Sequence, residues 1–304
     1  MRVVVTGATG FIGRALCANL VEHGDEVIAL THSPTRAQGL LGDAVRSIKW
    51  DGCSARGWAS LADGAGAIIN LAGENISRRR WNRSVKHAIL QSRLDAGRAI
   101  VQAVEVASVK PKAVIQASAI GYYGSRGDER LDESWRSGDD FLSDVACQWE
   151  ASTKAVEEVG VRHVVIRTGA VLEKEGGALP RLLLPFRLFL GWWPGGGQAW
   201  FSWIHRDDEV EAIRFLIGND EACGVFNLTA PEPVKVRDFC RVLGHITGRP
   251  AWLPVPGFAL RLLLGEMAEA VLLSGQRALP RRLQEAGFRF KYPTAATALK
   301  AILA

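Results

Sequence analysis

Three glycines at three-residue spacing, Gly7, Gly10 and Gly13, follow directly on the β-branched run Val3-Val4-Val5. A strand that enters a helix through so tight a turn leaves backbone N–H groups at the positive end of the helix, where a pyrophosphate binds. The glycines, with Thr9, Phe11 and Ile12 between them, are therefore the expected dinucleotide cradle. The next strand ends at Thr31-His32-Ser33-Pro34-Thr35-Arg36. An NAD-preferring site places an Asp or Glu here, on the ribose 2′-hydroxyl. A hydroxyl, an imidazole and a guanidinium stand in its place, which suits a 2′-phosphate. NADP(H) is the expected cofactor, with Thr31, His32 and Arg36 as contacts; the plainer alternative is that His32 and Arg36 face solvent in a loop. Asp51, just past the third strand, could accept from an adenine amino group or serve as a turn residue. Leu71, Ala72 and Gly73, small or apolar at the end of the fourth strand, would let the backbone approach the cofactor ribose and diphosphate.

Proton chemistry has fewer candidates. Ser118 and Tyr122 sit at the carboxyl end of a central strand, where ligands of open α/β sheets bind, and are the expected catalytic residues. Tyr123, Glu150 and His205 are further candidates. The five cysteines, 17, 53, 147, 223 and 240, are scattered without a C-x-x-C pair. No metal site is expected, and reduced thiols point to a cytoplasmic setting.

The elements that must carry these residues alternate. Strands are expected at 3–5, 26–30, 45–50, 67–71, 113–117, 164–167 and 224–228, with helices at 14–23 and 84–105. That alternation predicts an α/β fold: a doubly wound parallel, Rossmann-type sheet. The Trp- and Gly-rich segment 169–203 (WWPGGGQAWFSW at its end) breaks the rhythm and belongs to a smaller lobe. Its Trp192, Trp193, Trp200 and Trp203 would suit a flat or apolar substrate, or only pack the lobe. The tail reads as helices at 236–247 and 258–273, making the C-terminal lobe α-rich. The expected division is 1–170 plus 205–230 for the nucleotide-binding domain and 171–204 plus 231–304 for the small lobe. Leu260, Leu262, Leu263 and Leu264 suit helix packing. No apolar run reaches transmembrane length. The net charge of +5 comes from arginine without aromatic interleaving, and neither nucleic acid nor membrane is an expected partner. The basic loop Arg78-Arg79-Arg80 is a solvated face or a lid near phosphate.

Taken together, NLAGEN at 70–75, RRRW at 78–81, SR at 92–93, SAIGYYG at 118–124, WE at 149–150, RTGAVL at 167–172, LPFRL at 184–188 and WIH at 203–205 carry a resemblance. The chain resembles an atypical subgroup of the extended short-chain dehydrogenase/reductases, named epimerase family proteins and NAD-dependent epimerase/dehydratase-like. GQRALPRRLQEAGFRFKYP at 275–293 is similar to the subgroup's own C-terminal domain of unknown function. The resemblance implies an oxidoreductase or epimerase acting on a small hydroxyl or carbonyl substrate, with a homodimer as a further expectation. It also implies Arg93, at the place of the superfamily's helix Asn, and Val171, at the backbone position that passes the nicotinamide amide, as cofactor contacts.

The wider superfamily uses Ser/Thr, Tyr and Lys, the last two as Y-x-x-x-K, the lysine lowering the phenol's pKa. No Y-x-x-x-K occurs in this chain. Counting back from Arg167 puts the two positions near Phe141 and Val145, and the serine position falls on Ala119, one residue after Ser118. The missing relay leaves a second expectation: a cofactor-binding sensor or scaffold without turnover.

Overall fold

The structure is a computed structural model that describes residues 1–77 and 79–304. Of the basic loop, Arg78 lies outside the described residues, while Arg79 and Arg80 are exposed.

Seven strands form one sheet: β1 (Arg2–Thr6), β2 (Glu26–Thr31), β3 (Val45–Lys49), β4 (Ala67–Asn70), β5 (Ala113–Ala119), β6 (Arg162–Thr168) and β7 (Gly224–Leu228). Their spatial order is β7-β6-β5-β4-β1-β2-β3, and every pairing is parallel. The chain runs outward from β1 to β3 and then returns to β4, so the order reverses between β1 and β4. A crevice at such a reversal is where these sheets bind ligands.

The strands read as apolar runs because both faces are covered. Val3 and Val5 pack one layer with Leu16 of α1 (Phe11–Glu22) and Ile213 of α6 (Arg206–Gly218). Val4 faces the other layer with Ile100 of α3 (Arg83–Val106) and the fully buried Trp58. Polar side chains join the sheet from within. Thr6 Oγ1 donates to Asn70 Oδ1 at 2.7 Å, Asn70 Nδ2 to Gln116 Oε1 at 2.9 Å, and Thr153 Oγ1 to the same Gln116 oxygen at 3.1 Å. Thr6, Asn70, Gln116 and Thr153 each find a partner, so burying these four side chains costs little.

The small-lobe core gathers Leu179 and Phe186 of α5 (Leu179–Arg187), Phe239 and Leu243 of α7 (Val236–Thr247), Trp203 and the C-terminal helix Ala295–Leu303. Three expectations change here. The first helix begins at Phe11, so Gly13 lies in its first turn. Thr31 to Arg36 is not a loop throughout: Pro34 starts α2 (Pro34–Leu41), as its fixed φ favours. The tail helix expected over 258–273 is broken. Gly257–Leu264 ends at Gly265, which takes φ +66°, and Glu266–Ala268 follows. Leu260 alone of the leucine run is buried, whereas Leu262 and Leu263 are 78% and 72% exposed, because this helix has core on one side only. Among the described residues, no helix is long and apolar enough to cross a membrane, and the five cysteines are free thiols.

Candidate active site

The glycine turn is shaped by contacts that exclude side chains. A Cβ on Gly13 would stand 2.3 Å from the Gly7 carbonyl oxygen, and one on Gly7, which has φ +67°, would stand 2.6 Å from the Leu71 oxygen. The helix therefore closes onto the turn, and the turn onto the end of β4. Gly10 caps α1 without a side-chain acceptor, so the N–H groups of Phe11, Ile12 and Gly13 have no intrahelical partner and remain for an anion. This cradle fits a diphosphate. Thr9 is half-buried beside it, and the Phe11 ring lies against Gly176 and Gly177, leaving no room for a Cβ on either.

From Gly7 the site runs on without a gap. The Ala72 N–H donates to Thr6 Oγ1 at 3.2 Å, and Gly73 faces the Arg93 guanidinium, which a Cβ there would approach to 3.0 Å. Arg93 is 9% exposed. Its Nη1 donates to the carbonyls of Ile89 (2.7 Å) and Glu74 (3.1 Å), its guanidinium lies over the Trp149 ring at 4.6 Å, and its buried Nε has no partner. Burial pushes its pKa down to about 10, so it is still a cation at neutral pH. A buried guanidinium with an unused donor fits an anionic or carbonyl-bearing group.

Arg93 also lines a cleft of about 250 Å³. Its walls are the carboxyl ends of β5 and β6, the segment Trp200–Ser202 and one face of α4 (Phe141–Ala151). The α4 residues that face it are Leu142, Val145, Ala146 and Trp149, spaced as one helical stripe. No phenol and no ammonium stands on that stripe. Of the two relay positions counted from the sequence, Val145 reaches the cleft, while Phe141 packs at the helix start against Trp81, with ring centroids 5.1 Å apart. Of the four tryptophans, Trp200 alone reaches the cleft; Trp203 is fully buried, and Trp192 and Trp193 lie on the strand Gly191–Pro194.

Ser118 and Tyr122 lie beside the cleft in an ionic network that the sequence reading missed. Ser118 Oγ donates to Glu150 Oε1 at 2.6 Å, and Glu150 accepts from Arg167 Nε (2.8 Å) and Nη2 (2.9 Å). Arg167 Nη1 donates to the Tyr123 hydroxyl at 3.1 Å, and its guanidinium stacks on the Tyr122 ring at 3.3 Å. Tyr123 is fully buried, donates to Asn227 Oδ1, and has its pKa pushed up to about 12 chiefly by burial. His205 caps α6, its Nδ1 accepting from the Asp207 N–H at 3.0 Å, and burial lowers its pKa. A second buried acid, Glu209, accepts from Thr168 Oγ1 at 2.8 Å; burial raises its pKa to about 8. Nothing in its sequence neighbourhood, Asp207-Asp208-Glu209 on a helix, marks it as buried.

The 2′-phosphate candidates are at the surface. Among the described residues, the His32 and Arg36 side chains are exposed and make no hydrogen bond or ion pair, and Thr31 Oγ1 accepts from the Ser33 N–H at 3.3 Å. His32 lies against Gly52, in the turn that Asp51 builds by accepting from the N–H groups of Cys53 and Ser54 and from the Ser54 hydroxyl. Those bonds hold the Asp51 carboxyl below the usual range. Val171 is nearly buried, and its carbonyl accepts from the Ala178 N–H at 3.2 Å. Among the described residues, no His, Cys, Asp and Glu cluster could hold a metal.

Fold and site together define a doubly wound, Rossmann-type α/β protein. A family model described as the NAD dependent epimerase/dehydratase family matches residues 3–229, and a Domain of unknown function (DUF1731) matches residues 255–302. The chain belongs to the NAD dependent epimerase/dehydratase family. It is 40% identical over 308 residues to the chloroplastic epimerase family protein SDR39U1 homolog of Arabidopsis thaliana, covering 100% of this chain and 87% of that one. It is 37% identical over 314 residues to epimerase family protein YfhF of Bacillus subtilis, covering 100% and 98%. The crystal structure of human epimerase family protein SDR39U1 with NADPH superposes at a TM-score of 0.88 with 35% identity, covering 99% of each chain. A UDP-glucuronic acid 4-epimerase from Bacillus cereus, solved with UDP-glucuronic acid and NAD, shares the fold at a TM-score of 0.79 and 17% identity over 99% of this chain and 98% of that one.

Proposed function

We propose that this chain binds NADP(H) along the run from Gly7 to Arg93 and acts as an oxidoreductase or epimerase on a small hydroxyl or carbonyl compound held in the cleft. The observation that carries this reading is continuity. Gly7 packs on Leu71, Gly73 on Arg93, and Arg93 lines the 250 Å³ cleft. The NADPH in the human relative's crystal structure supports the choice of cofactor. Gly7, Thr9, Gly10, Phe11, Ile12 and Gly13 would hold the diphosphate, and Thr31, His32 and Arg36 the 2′-phosphate. Asp51 would face the adenine, Leu71 to Gly73 and Arg93 the riboses, and Val171 the carboxamide. Residues 171–204 and 231–304 would cover the bound pair.

When bound, the nicotinamide supplies or accepts a hydride, which requires chiefly that it be positioned. The chain's own part is to orient and exclude. Arg93 fixes the oxygen of the substrate or of the cofactor by a charge-assisted bond. Leu142, Val145 and Trp149 keep water from the reacting carbon. Ser118, backed by Glu150, and Tyr122, lying on Arg167, are the proton donors this reading assigns, acting through one bridging water.

The test follows nicotinamide absorbance after mixing the protein with NADPH and a panel of small ketones, aldehydes and enones. Oxidation with at least one compound, slowed about ten-fold or more by Arg93→Ala, supports the enzyme. A second reading, a cofactor-binding sensor or scaffold, is favoured by the apolar cleft face of α4. Tight NADPH binding with no oxidation across the panel, and with no inversion of hydroxyl-bearing compounds incubated with NADP⁺, selects it.

A further inference from the structure

Nine of the fourteen exposed large apolar side chains among the described residues fall in two stretches of the small lobe. Leu184, Leu188, Phe189 and Leu190 surround the end of α5. Trp252 and Leu253 stand on the strand Ala251–Val255, and Phe258, Leu262 and Leu263 on the helix Gly257–Leu264 that follows it. The stretches are joined, since Gly191–Pro194 pairs in parallel with Ala251–Val255 and the Trp252 indole N–H donates to the Phe189 carbonyl at 3.4 Å. Phe189 itself holds φ +60°, the one non-glycine residue with positive φ among those described. A left-handed backbone at a bulky residue is kept only where the surroundings impose it. Here it leaves Phe189 57% exposed, with the Arg249 guanidinium 3.7 Å from the ring centroid. An apolar surface of this kind marks a contact with something outside the monomer.

The charges on the two stretches decide what that is. Residues 178–198 carry Arg181 and Arg187, residues 249–265 carry Arg249 and Arg261, and neither stretch contains an Asp or Glu. Arg261 pairs with Glu269 from the next turn at 2.8 Å, while Arg181 and Arg187 are exposed and, among the described residues, make no ion pair. A second copy across a two-fold axis would set arginine against arginine over this face. An anionic lipid surface satisfies both parts, taking the apolar side chains at the headgroup boundary and the arginines on its phosphates.

We propose that this face docks the protein on a membrane surface bearing anionic phospholipid, through the apolar side chains of the α5 end, the strand Ala251–Val255 and the helix Gly257–Leu264. The inference is independent of the reaction proposed above. The test is sedimentation of the full chain with vesicles of phosphatidylcholine alone and of phosphatidylcholine with phosphatidylglycerol, with light scattering for oligomeric state. Binding to the anionic vesicles is expected, weaker at high salt. It should fall about ten-fold or more in Leu262→Ser/Leu263→Ser and several-fold in Arg181→Glu/Arg187→Glu. These side chains are exposed, so thermal unfolding should be unchanged and the loss separable from misfolding. No sedimentation with either vesicle, or binding that both variants leave intact, overturns the proposal. So does a concentration-dependent dimer dissolved by the serine pair, which would make a second copy the occupant.

Discussion

At the carboxyl end of β6 one guanidinium is gripped from several sides, Arg167 by Glu150, by the Tyr123 hydroxyl and against the Tyr122 ring. Its side chain is 4% exposed, so removing the partner strands a charge away from water. Glu150→Ala should cost roughly 3–5 kcal/mol, whereas Ser118→Ala, which removes one hydrogen bond to the same carboxylate, should cost about 1 kcal/mol. Chemical denaturation measures both, and equal effects would contradict this ordering. Glu209 sets a pH dependence. Its pKa in the fold, about 8, lies above the ordinary 4.5, so between those values the unfolded chain has released a proton that the native state keeps. Stability from this group is full below pH 4.5 and is lost as pH rises to 8. Glu209→Gln should flatten that decline and raise the melting temperature most near pH 8; an unchanged pH profile would contradict it. Neither residue was legible as such. The sequence marks Ser118 and Glu150 separately as chemistry-bearing, but the pairing that ties them to Arg167 spans different elements and exists only in the fold.

Among the elements, the strand–turn–helix at the N-terminus was the most legible, because its glycines are required by distance. A methyl on Gly13 would stand 2.3 Å from the Gly7 oxygen. Gly13→Ala should therefore push α1 off the turn and weaken NADPH binding at least ten-fold, read by fluorescence titration, with a lowered melting temperature. Retention of wild-type affinity would mean that the cradle tolerates displacement. The central strands were also legible, since a strand covered on both faces must be apolar throughout. Position on α4 was less so. Counting from Arg167 lands on Phe141 and Val145, of which only Val145 lies on the cleft face with Leu142, Ala146 and Trp149, and the connection to β6 runs through the 3₁₀ helix Lys154–Val159. A leucine run signals helix equally well on either side of Gly265, and only the φ of +66° there shows the break in the tail helix.

For the whole molecule, the doubly wound parallel sheet follows from alternating strands and helices, whereas the place of its reversal, between β1 and β4, is shown only by the fold. The exposed apolar face could not be read that way. Periodicity shows that Leu260, Leu262 and Leu263 are apolar, not that the small-lobe core stops after Leu260. What the sequence does carry to the whole molecule is cofactor choice, since β2 ends without a carboxylate and with Arg36 nearby. The most direct measurement is therefore fluorescence titration with NADPH and NADH, wild type beside Arg36→Ala. A 2′-phosphate contact at Arg36 predicts that wild type prefers NADPH and that Arg36→Ala loses about ten-fold or more for NADPH alone, as loss of a charge-assisted bond to phosphate requires. Equal affinity for the two cofactors in wild type, or an equal loss for both in the variant, would contradict it.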